Sequence, residues 1–231
     1  ALVDAIAQAA ADPAVRVVIL RGSGRAFSAG GDVKQMAQDA ADGRPAAYFD
    51  RPLLGIHAAA IAIRNLEKPV IAALKGAVAG AGLNLALCCD YRIAADNVRL
   101  IQAFTNIGLV PDTGGTYLLP RLIGLARATA LLFEGRPGEA LEAQELGLVH
   151  RVVPLAELEV AVQGLAERLA ARPTRALGLT KRLLNASAGN SFEAQLSAEQ
   201  RLQQTLGAES ADFLEGVRAL LERREPRFCG Q

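Results

Sequence analysis

A run of small residues that joins an apolar strand to a helix restricts the fold more than any other segment of the chain. We predict the strand at 69–74 and the helix at 81–88, with Gly76-Ala77-Val78-Ala79-Gly80-Ala81-Gly82 between them. The first turn of a helix has backbone N–H groups without intrahelical partners, and the helix dipole favours negative charge there. The joint therefore predicts a site for a negatively charged oxygen. Alternatively, its small residues only allow the helix and the strand to pack closely.

A second loop of small residues follows an apolar strand predicted at 16–20. Its sequence is Gly22-Ser23-Gly24-Arg25-Ala26-Phe27-Ser28-Ala29-Gly30-Gly31-Asp32. This loop can supply a second N–H group to the same oxygen. Two converging donors of this kind form an oxyanion hole, which stabilises negative charge that develops during a reaction.

Apolar runs alternate with helical periodicity over the first two thirds of the chain, a pattern typical of α/β folds with parallel strands. The other elements predicted there are helices at 1–11 and 46–66, strands at 91–94, 98–101 and 148–153, and helices within 114–147. After Pro154 the pattern is helical throughout, with stretches at 155–171, 174–187, 192–207 and 210–224. We therefore divide the chain into an α/β core, 1–154, and a helical region, 155–231, that packs on the core or on a neighbouring subunit.

Composition and charge exclude several classes of function. The 25 Lys and Arg residues balance 24 Asp and Glu residues, so a net charge of +1 provides no field that attracts nucleic acid or an anionic membrane surface. No apolar run is long enough to cross a membrane. Cys88, Cys89 and Cys229 lack metal-binding spacing and the chain has 2 histidines, so we expect buried thiols and no metal site. These features predict a soluble cytoplasmic protein without nucleic-acid or membrane partners.

Several motifs resemble the crotonase superfamily, also called the enoyl-CoA hydratase/isomerase family, in both order and spacing. They are Gly24-Arg25-Ala26-Phe27-Ser28-Ala29-Gly30-Gly31-Asp32, Lys68-Pro69-Val70-Ile71-Ala72-Ala73, Gly76-Ala77-Val78-Ala79-Gly80-Ala81-Gly82 and Ile107-Gly108-Leu109-Val110-Pro111-Asp112-Thr113-Gly114-Gly115. The resemblance covers the chain except for the family's opening strand and its Asn-Arg-Pro turn, so we expect a segment upstream of Ala1 to be missing. It implies a crotonase-like spiral of ββα units over 1–154. It also implies that 155–231 is a helical trimerisation region, which gives a homotrimer or a dimer of trimers.

The resemblance also implies a substrate and a way to activate it. Family members bind acyl-CoA thioesters and stabilise the thioester enolate with two backbone amides, which by position are those of Gly31 and Ala81. Coenzyme A enters as part of the substrate, so no separate cofactor is expected. The other positions that match coenzyme or substrate contacts are Ala29, Asp32, Val33, Tyr48, Asn84 and Phe104.

Two positions depart from the pattern of the family's hydratases. Those enzymes activate water with two glutamates, and the matching positions here hold Asn84 and Phe104. Neither side chain accepts a proton at neutral pH, so the resemblance disfavours ordinary hydration. The Asn84 amide can still bind a substrate or a water, or it satisfies local backbone groups.

Asp112 is the remaining carboxylate at the site that the resemblance predicts. It matches the position at which some isomerases of the superfamily carry their acid/base group, and the surrounding sequence is most similar to the epoxyphenylacetyl-CoA isomerase branch of phenylacetate degradation. A single carboxylate can remove a proton from one carbon and return it to another without recruiting water. Asp112 can also cap a helix that begins near Thr113, and the two roles are compatible.

The sequence therefore favours an acyl-CoA isomerase that shifts a double bond or converts epoxyphenylacetyl-CoA to oxepin-CoA. Two alternatives stay open, namely an enoyl-CoA hydratase in which Asp112 activates water and an acyl-CoA-binding protein without turnover. His57, on the helix predicted at 46–66, is a weaker candidate that is either functional or simply packed.

Overall fold

Short strands and longer helices alternate along the chain. The structure is a computed structural model that describes the backbone of residues 1–231 and the side chains of residues 1–50 and 53–231. The strands are β1 Val18–Arg21, β2 Val70–Leu74, β3 Ala77–Ala79, β4 Tyr91–Ala95, β5 Arg99–Ile101, β6 Pro137–Glu139 and β7 Arg151–Val153. The helices are α1 Leu2–Ala11, α2 Val33–Ala41, α3 Ala47–Asn65, α4 Gly80–Leu87, α5 Gly115–Ile123, α6 Leu125–Glu134, α7 Ala140–Glu145, α8 Leu158–Ala170, α9 Thr174–Ser187, α10 Phe192–Glu209 and α11 Ala211–Glu222.

The strands form two sheets that wind around each other. One sheet has the order β1-β2-β4-β7 and is parallel throughout, and the other has the order β3-β5-β6. Consecutive strands β2 and β3 lie in different sheets, as do β4 and β5, so the chain alternates between the sheets. Gly76 forms the corner between β2 and β3 with a φ of +57°, and a Cβ there would lie 2.6 Å from the Arg25 carbonyl oxygen. The corner therefore requires glycine.

Strand β2 is buried on both faces, which explains its uninterrupted apolar sequence. Val70, Ala72 and Leu74 belong to the larger hydrophobic cluster, which also includes residues of α3 and α4. Ile71 and Ala73 point to the other face and pack in the cluster that contains residues of α8. The two faces of one strand thus anchor the elements on both sides of the sheet.

The helical region contacts the core through α8 and α9. Helix α8 packs on the parallel sheet with Leu158, Val162 and Ala166. Helix α9 is joined to the core by an ion pair in which Lys181 Nζ lies 2.9 Å from Asp90 Oδ2. Helices α9, α10 and α11 enclose a groove of about 830 Å³ lined largely by leucine and phenylalanine side chains.

The predicted α/β class with parallel strands and a C-terminal helical region is confirmed. Three details of the predictions are wrong. The short elements α2, β3 and β6 were not predicted, β6 pairs antiparallel to β5, and the last strand begins at Arg151 rather than near Leu148.

Cys88 and Cys89 are buried as expected, but Cys229 is exposed because it lies in the irregular segment after α11. Within the described part of the chain, no helix combines the length and apolar character that a membrane span requires.

Candidate active site

The two small-residue loops lie side by side at the start of α4. The Ser28 amide donates to the Ala77 carbonyl over 3.1 Å, and the Ala79 amide donates to the Ser28 carbonyl over 2.9 Å. A Cβ added to Gly80 would lie 3.9 Å from Gly30 Cα, so the backbones of the two loops are in contact. The structure therefore brings together the two segments that the sequence singled out.

Gly31 and Ala81 line the same cavity, which has a volume of about 220 Å³. Among the described residues, neither amide donates to a protein acceptor. The amides on either side of Gly31 are used, since Gly30 donates to Ser28 Oγ at 3.3 Å and Asp32 donates to the Tyr48 hydroxyl at 2.8 Å. Each loop thus contributes one cavity-lining residue whose N–H group has no acceptor among the described residues.

Small residues are required on this side of the cavity because side chains would collide. A Cβ on Gly82 would lie 2.2 Å from Ser28 Oγ and 2.3 Å from Ser28 Cβ. A Cβ on Gly31 would lie 2.6 Å from Met36 Cε. Gly30 in addition has a φ of +91°, a backbone conformation that other residues rarely adopt. The glycines thus set the close approach of the two loops.

The rest of the cavity lining is largely apolar. Its larger side chains include Val33, Phe49, Leu53, Phe104 and Leu109. Asp112 is the only carboxylate among the described residues that line it. The cavity therefore offers a hydrophobic space with an amide pair and a single carboxylate.

Asp112 is held by hydrogen bonds to both its main chain and its side chain. Its carbonyl oxygen accepts from Asn84 Nδ2 at 2.8 Å and from the Gly115 amide at 2.9 Å. Its Oδ1 accepts from Thr113 Oγ1 at 2.8 Å. Helix α5 begins at Gly115 after Gly114 and has no side-chain cap, so the alternative that the Asp112 carboxylate caps this helix is wrong. Asp112 is instead one of the residues that line the cavity.

Asn84 lies behind the cavity wall and is fully buried. Its Nδ2 donates to the Asp112 carbonyl and its Oδ1 accepts from Gln102 Nε2 at 2.7 Å, so both ends of the amide are used inside the protein. The predicted contact of Asn84 with substrate is therefore corrected: the side chain holds the backbone of Asp112. Phe104 lines the cavity as predicted, with its ring near Gly80. An aromatic wall thus occupies the second position at which the family's hydratases have a glutamate.

The other predicted contact residues divide between the cavity and its surroundings. Ala29, Val33 and Tyr48 line the cavity. Asp32 does not, because its carboxylate caps α2 by accepting from the amides of Lys34 and Gln35. Tyr48 contacts the same turn through its hydroxyl, which accepts from the Asp32 amide at 2.8 Å.

Two residues in the hydrogen bonds around Asp112 and Asn84 were not predicted as site residues from the sequence. Thr113 and Gln102 are buried polar residues, and their contacts with His57 and Asn84 join segments far apart in the chain, so nothing in the local sequence marks them. His57 lies outside the cavity, and its Nε2 accepts from the Thr113 amide at 3.1 Å. Among the described residues, no group of His, Cys, Asp and Glu side chains could hold a metal ion.

Comparisons with known proteins show which family the chain belongs to. The family model described as enoyl-CoA hydratase/isomerase matches residues 1–231. The chain is 43% identical over 220 residues to a Rhodobacter capsulatus protein named "Probable enoyl-CoA hydratase", covering 94% of this chain and 82% of that protein. It is 39% identical over 235 residues to the 1,2-epoxyphenylacetyl-CoA isomerase of Escherichia coli, covering 100% of this chain and 87% of that protein.

A solved structure supports the same assignment. The crystal structure of an enoyl-CoA hydratase from Polaromonas sp. JS666 superimposes with a TM-score of 0.90 at 33% identity, covering 99% of this chain and 88% of the other. The family match, the sequence identities and the shared fold span nearly the whole chain. The chain belongs to the enoyl-CoA hydratase/isomerase family.

Proposed function

We propose that this protein is an acyl-CoA isomerase that moves a carbon–carbon double bond of an enoyl thioester between the β,γ and α,β positions. One observation carries the proposal. Among the described residues, the apolar cavity is lined by Gly31 and Ala81, whose amides have no protein acceptor, and by a single carboxylate, while the family resemblance matches Asn84 and Phe104 to the hydratase glutamates. This set of groups can stabilise an enolate and move one proton, but it has no second carboxylate to activate water.

In the proposed reaction the thioester carbonyl oxygen accepts from the amides of Gly31 and Ala81. Asp112 removes a proton from the α carbon, and the electron pair of that C–H bond passes into a dienolate that extends to the γ carbon. The carboxylic acid then returns the proton to the γ carbon, which leaves the double bond between the α and β carbons. Each amide donor stabilises the developing oxyanion by about 3 kcal/mol.

The hydrogen bonds of Asp112 support this role. Oδ1 accepts from Thr113 Oγ1, and Oδ2 receives no donor from the described residues. Oδ2 is therefore the oxygen that takes and returns the proton. The hydrogen bond from Thr113 keeps the carboxylate in one orientation during both transfers.

A second candidate reaction is the isomerisation of an aromatic epoxide attached to a coenzyme A thioester. It is favoured by the 39% identity to the Escherichia coli 1,2-epoxyphenylacetyl-CoA isomerase over the full length of this chain. The same amides would hold the thioester oxygen while the epoxide opens and the ring expands. This second candidate reaction would place the protein in phenylacetate catabolism.

The proposal also covers the cofactor requirement, the cellular location and the oligomeric state of the enzyme. Coenzyme A enters with the substrate, and no separate cofactor takes part. We place the protein in the cytoplasm as a homotrimer or a dimer of trimers assembled through the helical region. Exposed apolar side chains on α11, such as Leu220 and Leu221 at 79% exposure each, support a subunit contact there.

The test compares the wild type with Asp112→Asn on 3-hexenoyl-CoA and crotonyl-CoA. Asn has nearly the same shape but cannot carry the proton, so kcat for isomerisation should fall by about 100- to 10,000-fold while binding persists. Mass spectrometry distinguishes isomerised from hydrated product, because hydration adds the mass of one water. Undiminished isomerisation by Asp112→Asn, efficient hydration of crotonyl-CoA, or tight binding without any turnover would each contradict the proposal.

A further inference from the structure

His57 lies on α3 behind the segment that carries Asp112. Its Nε2 accepts a hydrogen bond from the Thr113 amide at 3.1 Å, and His57 itself does not line the active-site cavity. An imidazole nitrogen accepts a hydrogen bond only when it carries no proton, so this contact requires a neutral ring with its proton on Nδ1. The contact joins the middle of a long helix to the turn beside the proposed acid/base group.

Thr113 has an unfavourable backbone conformation. Its φ is +51° and the residue is 2% exposed, although β-branched residues rarely adopt positive φ. Such a conformation persists only where the surrounding contacts fix it. Here the amide is fixed by His57 and the hydroxyl by Asp112.

The turn borders a surface pocket. The pocket has a volume of about 330 Å³ and is lined by residues that include His57, Thr113, Gly114 and Tyr117. Within the described part of the chain, the side of the turn that faces this pocket has no protein packed against it, so the His57 hydrogen bond is one of the contacts that hold the turn. Loss of this hydrogen bond would leave the buried Thr113 amide without an acceptor, which favours a backbone change.

We propose that His57 is a positioning residue for the reaction. By accepting the Thr113 N–H it stabilises the left-handed backbone that directs the Thr113 hydroxyl to Asp112 Oδ1. This keeps Oδ2 aligned with the substrate carbons. The inference rests on the proposed function, because it concerns the orientation of the proposed acid/base group.

The experiment tests whether the hydrogen-bond acceptor of His57, rather than the rest of its side chain, is required for activity. His57→Gln places an amide oxygen at nearly the reach of Nε2, whereas His57→Asn is too short and His57→Leu has no acceptor. With 3-hexenoyl-CoA, His57→Asn and His57→Leu should lose kcat by about 100-fold, the effect of a displacement near 1 Å at a reacting group. KM should change by less than about threefold, because the amide pair and the apolar wall are intact. His57→Gln should recover kcat to within about fivefold of the wild type.

Asp112→Asn, measured in the same assay, distinguishes a failure of this inference from a failure of the proposed function. If Asp112→Asn abolishes isomerisation while His57→Asn and His57→Leu keep the wild-type kcat, the positioning role is wrong and the proposed function stands. If Asp112→Asn keeps kcat, the proposed function itself is wrong. Equal losses of kcat in His57→Gln and His57→Asn would also overturn the role of the acceptor.

Thr113→Val keeps the inference testable if the His57 variants do not fold, as judged by circular dichroism. Valine has the shape of threonine without the hydroxyl, so it removes the contact with Oδ1 and leaves the amide. We expect a loss of kcat of about 10-fold or more with little change in KM. A wild-type kcat in folded Thr113→Val would overturn the inference, because the path from His57 to Asp112 passes through that hydroxyl.

Discussion

One part of the cavity lining presents backbone amides between small residues, whereas another presents the Asp112 carboxylate held by buried side chains. The amide side depends on close contact between two loops, because a Cβ added to Gly80 would lie only 3.9 Å from Gly30 Cα. The carboxylate side depends on a chain of hydrogen bonds from Gln102 through Asn84 to Asp112. The two sides therefore differ in what destroys them: added volume on the first, and a lost donor or acceptor on the second.

Among the substitutions that test this comparison between the two sides, the largest effect is expected from added volume on the amide side. Gly82→Ala would place a Cβ 2.2 Å from Ser28 Oγ and 2.3 Å from Ser28 Cβ, so the loop must move away from α4. This separates the Gly31 amide from the Ala81 amide, and kcat should fall by about 100- to 1,000-fold, the effect of losing one oxyanion donor. Steady-state kinetics with 3-hexenoyl-CoA measures the loss.

Gly24→Ala is the control, and it lies in the loop that carries Ser28, the residue that a Cβ at position 82 would meet. A Cβ on Gly24 would have no heavy atom within 4 Å, and its φ lies outside the positive range. Its kcat should therefore equal that of the wild type. A Gly82→Ala enzyme with unchanged kcat would show that the contact between the loops does not set the amide geometry.

A smaller effect is expected when one donor is removed on the carboxylate side. Asn84→Asp keeps the shape of the side chain but replaces the Nδ2 donor with an oxygen facing the Asp112 carbonyl. The lost amide donor and the burial of a carboxyl group at a fully buried position should together lower the free energy of unfolding by at least about 1–3 kcal/mol. The displacement of Asp112 should lower kcat roughly 10- to 100-fold. Urea unfolding and steady-state kinetics measure the two effects.

Asn97→Asp is the control for that substitution. Asn97 is exposed, and its Oδ1 accepts from the Gly76 amide at 3.2 Å, an interaction that a carboxylate oxygen can maintain. Stability and kcat should both stay close to the wild type. If Asn84→Asp behaves like Asn97→Asp, the hydrogen bond to the Asp112 carbonyl has no part in holding the carboxylate.

The same difference decides how much could be predicted from the sequence. The amide side leaves a local signal, because closely packed loops need consecutive small residues, and Gly31 and Ala81 were predicted from that pattern and the resemblance. The fully buried strand β2 and the long helix α3 were predicted for the same reason, since apolar runs and helical periodicity are local. The structure agrees with the predicted strand and helix, and it places Gly31 and Ala81 on the lining of one cavity.

The carboxylate side leaves no such signal. The hydrogen bond between Asn84 and Asp112 joins residues 28 positions apart in the sequence, and the hydrogen bond between Thr113 and His57 joins residues 56 positions apart. Both therefore depend on the completed fold. The pattern around Asn84 suggested a substrate contact, but the side chain points behind the wall. Strands β3 and β6 were missed because β3 lies within the run of small residues and β6 is Pro137-Gly138-Glu139, whose residues are depleted in strands, so both strands are fixed by their partners.

The smallest effect concerns Cys88 and Cys89, which directly follow α4, and tests how far a disturbance on the amide side spreads. Burial raises the pKa of the Cys88 thiol to about 11 and, with Cys88 beside it, that of the Cys89 thiol to about 12, so both are protonated at pH 8. Iodoacetamide at pH 8 should therefore label Cys229 alone in the native protein, and all three thiols after unfolding. A Cβ added at position 82 would collide with Ser28 on the loop rather than with the core, so Gly82→Ala should move the loop and leave α4 in place. Intact-mass measurements should then still find the label on Cys229 alone. Labelling of Cys88 in native Gly82→Ala would mean that the helix itself has shifted, and its loss of activity could then no longer be assigned to the loop.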